Sequence, residues 1–177
     1  MKHEELDSTR LIIFGDFGVL TNTPFQDGQP LHMLPGRVKY LAYLQQDRAE
    51  RGIEPLQYAV TGNKGGVAFG IQTQDEARQE VAWTAEQIGT GLFRVCFAHP
   101  KPAAGYERYR DPVELRRRKP EPGMLEEIIE EAAVAKDKES VLVVGTYADD
   151  CTAGIALGVR WNVTGKFFAP ALARRFQ

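Results

Sequence analysis

At 177 residues, 43% hydrophobic and 26% charged, the chain is long enough to bury a core and too apolar to be disordered. A formal net charge of −2 excludes a global electrostatic pull toward nucleic acid or membrane. Two widely separated cysteines, Cys96 and Cys151, exclude a disulfide framework, so a reducing cytoplasmic setting is expected.

Residues 1–10 are polar, with Lys2, Glu4, Glu5 and Asp7, and are read as neither leader nor anchor. Residues 1–9 are expected to be a flexible lead-in to one domain spanning 1–177. No apolar run approaches the length of a membrane span. The run Leu11-Ile12-Ile13-Phe14 predicts a strand buried on both faces, ending at Asp16 between Gly15 and Phe17-Gly18. A polar loop to about 34 precedes a helix over 35–50, with Val38, Leu41 and Leu44 inward. A second strand at 56–61 runs into the glycine-rich turn Thr61-Gly62-Asn63-Lys64-Gly65-Gly66. Thr73 with Glu76 reads as a capping box opening a helix over 74–88. A third strand is expected at 93–98, then an irregular stretch over 99–119 holding Tyr106, Tyr109 and a run of basic residues. A helix at 121–135, a central strand at 141–144, a short helix at 150–157 and a last strand at 158–163 complete the pattern. Trp83 and Trp161 are expected in the core or an interface, and Phe167-Phe168 over the sheet edge. Alternating strands and helices imply an α/β fold with a parallel sheet.

Such a sheet opens every strand's C-terminal tip onto one rim, where ligands bind. Asp16, Thr61 with Asn63, Lys119, and Asp149 with Asp150 would meet there. Carboxylates suit a hard cation such as Mg²⁺ through oxygen. A hydroxyl, backbone N–H groups and a lysine suit phosphate oxygens. An aspartate in line with phosphorus is a candidate nucleophile.

Four stretches carry a resemblance: Gly18-Val19-Leu20; Val60-Thr61 with Asn63 through Gly70; Arg118-Lys119-Pro120-Glu121-Pro122-Gly123-Met124; and Val143-Val144-Gly145 with Asp150 and Ala153-Gly154. In this order they are similar to the haloacid dehalogenase superfamily, most of all its histidinol-phosphate, heptose-bisphosphate and polynucleotide 3′-phosphatase branch. The resemblance spans about residues 10–170. It implies a three-layer α/β/α Rossmann-like fold with a five-stranded, mainly parallel sheet. No insert is long enough for a cap domain, so the site should be open, which suits a bulky substrate or closure by a second copy in a homo-oligomer. It also implies Asp16 as nucleophile or metal ligand, Thr61, Asn63, Arg118 and Lys119 as phosphate binders, and Asp149 or Asp150 as further ligands of Mg²⁺.

The departures are equally informative. Anchored on Gly18, the family's nucleophilic aspartate falls on Gly15 and its acid/base aspartate on Phe17. Asp16 reaches the site only if the backbone slips or bulges. Gly62 reads as an insertion, and Thr146 stands where the last motif has its first aspartate. Cys96, His99 and Pro100 match half of a zinc loop found in relatives, but Leu115-Arg116-Arg117 supplies no thiolate, so no four-ligand zinc site is expected. Arg108, Arg110, Arg116, Arg117, Arg118 and Lys119, with Tyr106 and Tyr109, form a local basic cluster. It reads either as a solvated loop or as a landing surface for a phosphorylated small molecule or nucleic-acid end.

Two functions remain open at this point. One is a Mg²⁺-dependent phosphomonoester hydrolase working through an aspartyl-phosphate. The other is a catalytically impaired module of the same fold that binds a phosphorylated ligand or a partner.

Overall fold

The apolar runs form one sheet. The structure, a computed structural model, describes residues 6–22 and 30–172. Strands β1 (Leu11–Gly15), β2 (Gln57–Asn63), β3 (Phe93–Cys96), β4 (Val141–Gly145) and β5 (Arg160–Val163) are ordered β3-β2-β1-β4-β5. Every pairing is parallel. Helices α1 (Arg37–Glu50), α2 (Gln74–Gln87), α3 (Pro112–Arg117), α4 (Gly123–Glu131), α5 (Ala148–Leu157) and α6 (Thr164–Phe167) complete the layers. No helix among the described residues is long and apolar enough to cross a membrane.

Strand alternation splits the core in two. Even-numbered Ile12, Phe14, Tyr58, Val60, Leu142 and Val144 face Tyr40, Leu41 and Leu44 of α1 and Val81 and Ala85 of α2. Odd-numbered Leu11, Ile13, Ala59, Val141 and Val143 face Leu125, Ile128 and Ile129 of α4 and Ala153 of α5. This parity decides which polar residues at the strand tips can meet.

Several expectations change. The irregular stretch over 99–119 contains a 3₁₀ turn (Glu107–Arg110) and α3, whose start is capped by Asp111 accepting from the N–H groups of Val113 and Glu114. The expected helix at 121–135 is shorter at both ends, running Gly123–Glu131. Tyr40, not Val38, is buried on α1; Val38 is 39% exposed. Of the two tryptophans expected in the core or an interface, Trp83 is half-buried and Trp161, at 46% exposure, lies outside the core. Phe167 and Phe168 do not cover an edge. Their ring centroids lie 5.7 and 5.9 Å from that of Phe14 on the central strand. Of the expected lead-in at 1–9, residues 1–5 lie outside the described ones, while Leu6 and Thr9 are buried.

Candidate functional site

The tips of β1, β2 and β4 and the segment before α4 enclose a cavity of about 170 Å³. Gly15, Asp16, Phe17, Asn63, Arg118, Lys119, Tyr147, Asp149 and Asp150 line it. The sequence-predicted residues are thus brought to one rim, but their side chains are not equivalent.

Lys119 is the centre. It is buried, and its Nζ donates to Thr61 O at 3.2 Å, Thr61 Oγ1 at 3.1 Å and Asp150 Oδ1 at 2.5 Å. An ammonium has three N–H donors, and all three are used. Asn63 sets the Lys119 backbone: its amide donates to Lys119 O at 2.8 Å and accepts from Lys119 N–H at 3.1 Å. Asn63 therefore lines the cavity with its side-chain amide engaged by the Lys119 backbone. Thr61 Oγ1 also donates to Phe14 O at 3.3 Å.

Asp150, buried in the first turn of α5, reaches Lys119 through a gap between two glycines. A Cβ built on Gly145 would lie 2.1 Å from Asp150 Cβ. One on Gly15 would lie 3.1 Å from both Asp150 oxygens. Gly15 pairs with Thr61 in register and shares its face. The position facing Lys119, Thr61 and Asp150 from the central strand therefore carries no side chain.

Asp16, one residue on, follows strand parity to the other face. Lys64 Nζ sits 2.8 Å from Asp16 Oδ2 and 2.9 Å from Glu80 Oε2. The aligned hydrogen bond goes to Glu80, so Asp16 Oδ2 is held by charge alone. Lys64 Nζ also lies 3.3 Å from the Phe17 ring centroid, a cation–π contact. Gly62 makes the room: a Cβ there would meet Asp16 Oδ2 at 2.9 Å and Val81 Cγ2 at 2.8 Å. No slip or bulge returns the Asp16 carboxylate to Lys119. Sequence reading missed Lys64 and Glu80. The available signal was Gly62, whose even number puts it opposite Thr61 on β2.

Arg118 is half-buried, with Nη1 donating to Ala98 O at 3.0 Å. Burial holds its guanidinium below the ordinary value, while Cys96 and Asp149 oppose the shift. Asp149 is exposed at the cavity mouth. Thr146 Oγ1 bonds Gly18 O at 2.7 Å and Thr164 Oγ1 at 2.8 Å, tying loops together rather than facing a ligand. Burial raises the Cys96 thiol above its ordinary value, as expected of a core cysteine.

Mg²⁺ needs a near-octahedral oxygen set. Among the described residues no three His, Cys, Asp or Glu side chains come together to hold a metal. Asp150 is neutralised by Lys119, and Asp16 by Lys64 across the sheet. The residues as placed do not fit the ion.

No family model and no curated protein matches the chain. Solved structures do. A protein from Mesorhizobium loti described as a HAD-like phosphatase matches with TM-score 0.66 and 21% identity, over 85% of this chain and 69% of that one. The D,D-heptose 1,7-bisphosphate phosphatase of B. bronchiseptica, solved with magnesium and phosphate, matches with TM-score 0.60 and 20% identity, over 93% of this chain and 88% of that one. The five-stranded parallel sheet, its helical layers and these likenesses agree on one conclusion: the chain adopts the haloacid dehalogenase-like α/β fold.

Proposed function

We propose that this chain is a catalytically impaired member of a phosphatase scaffold, holding a phosphomonoester group at the tip of β1 without cleaving it. The observation that carries the reading is Gly15. It occupies the one position on β1 that faces Lys119, Thr61 and Asp150, and it has no side chain to attack phosphorus. Asp16 is turned to Lys64 on the opposite face. The cavity of about 170 Å³ accommodates a phosphate group, with Arg118 beside it and Lys119 at its floor. The ligand class is a phosphorylated small molecule or a nucleic-acid end.

An incoming phosphate competes with Asp150 for Lys119, because every Lys119 donor is already in use. Asp150→Asn is therefore expected to tighten inorganic phosphate binding by about tenfold, measured by titration calorimetry with EDTA present, since a neighbouring like charge is removed. Wild type is expected to show no turnover of p-nitrophenyl phosphate with Mg²⁺. Hydrolysis is the second reading, favoured by Asp16 and Asp149 lining the same cavity. It predicts the reverse pattern: turnover that Asp16→Ala abolishes, and weaker phosphate binding in Asp150→Asn. That pattern would sink the proposal.

A further inference from the structure

A second, larger cavity of about 650 Å³ runs along the outer edge of β3 and shares no lining residue with the first. Its walls come from Gln74 and Arg78 of α2, Phe93 and Phe97 at the sheet edge, and Arg108 and Tyr109 of the 3₁₀ turn, with Arg94, Glu114 and Arg117 completing it. Its volume lies within the range of small-molecule sites, roughly 300–1,000 Å³.

The charges do not balance inside it. Arg94 is paired with Glu127 and Glu131, and Arg117 with Glu114 and Glu127. Arg78 and Arg108 have no carboxylate partner among the described residues. Each guanidinium instead rests on a ring: Arg78 lies 5.7 Å from the Phe97 centroid and Arg108 lies 4.9 Å from that of Tyr109. Asp75 and Glu76 line an adjoining hollow that shares Gln74, Arg108 and Tyr109, so an anion is directed to the β3 side.

Tyr109 makes a second, independent demand. Its side chain is buried, at 8% exposure, yet it lines the cavity. Its hydroxyl oxygen accepts from Gln74 Nε2 at 3.0 Å and from Arg108 Nη2 at 3.2 Å. Both acceptor sites are taken, and the O–H donor has no acceptor among the described residues. Two guanidiniums without a carboxylate partner and a hydroxyl with a donor to spare converge on one wall, a set that an oxygen-rich anion satisfies together. Half-buried Phe93 and Phe97 give the same cavity an apolar wall.

We propose that this cavity binds a nucleoside phosphate, its phosphate held by Arg78, Arg108 and the Tyr109 hydroxyl and its base against Phe93 and Phe97. The site is distinct from the Lys119 cavity, and the Arg78 and Arg108 arm of its test reads this cavity alone. Binding of the fluorescent nucleotide mant-ADP to the full chain, followed by anisotropy, is expected to saturate and to be competed by ADP better than by pyrophosphate. The double variant Arg78→Ala/Arg108→Ala is expected to weaken binding about a hundredfold, and Tyr109→Phe about tenfold, as for hydrogen bonds to a charged group. Both arginines are exposed, so far-UV circular dichroism should confirm that the variant stays folded. The proposal fails if binding does not saturate by millimolar nucleotide, if pyrophosphate competes as well as ADP, or if binding survives in the double arginine variant.

Discussion

One position along a strand separates Gly15 from Asp16, and that step sends a side chain to the opposite face of the sheet. Around Gly15 lie Thr61, Lys119 and Asp150; around Asp16 lie Gly62, Lys64 and Glu80. Each carboxylate at the β1 tip is matched by its own buried lysine. Removing one partner of such a pair strands a charge, whereas neutralising both does not. Lys119→Met is therefore expected to lower unfolding free energy by about 3–5 kcal/mol in urea titrations. Lys119→Met/Asp150→Asn is expected to recover most of that loss. Equal losses in the single and double variants would mean that the pair is not coupled as described.

The elements are bounded by local chemistry that a reader of the chain can recognise. Thr73 and Glu76 form the capping box predicted for α2: Glu76 N–H donates to Thr73 Oγ1 at 3.2 Å, and Thr73 N–H to Glu76 Oε2 at 2.8 Å. Thr73→Ala should cost about 1 kcal/mol by thermal or urea unfolding. The hydrogen bonds from Thr73 lower the Glu76 pKa. A carboxyl depressed in the folded state adds stability above its unfolded value, and that stability is lost as pH falls through the folded value. Glu76→Gln should therefore flatten the acid limb of the stability–pH curve below neutrality. An unchanged limb would rule out the capping charge. The short helix α3 escaped prediction because six residues give too little periodicity to stand out from a proline- and arginine-rich loop, although its Asp111-Pro112 start signal is present.

At the scale of the molecule the two apolar layers meet at β1, whose five residues are all buried. Phe14 carries the layer against α1, α2 and the C-terminal aromatics, with Tyr58, Phe167 and Phe168 around its ring. Phe14→Ala is expected to destabilise the chain by about 3–5 kcal/mol, read as a lower urea midpoint at unchanged slope. A loss below 1 kcal/mol would mean that this layer repacks freely.

The five strands, the four longer helices between them, the parallel sheet and the rim at which Asp16, Thr61, Lys119 and Asp150 gather were legible in the chain alone. Hydrophobic runs and their spacing are local properties, and each apolar strand has few ways to be buried. The resemblance anchored on Gly18 put Gly15 where the family has its nucleophile, but left open a slip that would bring Asp16 there instead; the contacts of Asp16 with Lys64 decide between them. Which charge meets which was not legible. The pairing of Lys64 with Asp16 and Glu80, and of Lys119 with Asp150, depends on strand parity combined with packing across segments 16–48 residues apart, and Gly62 is the one local sign of it. The cavity beside β3 has the same origin: Arg78, Phe97 and Tyr109 become neighbours only when helix, strand edge and turn are folded together, since side-chain contacts between distant segments are set by the tertiary fold and not by any one of them.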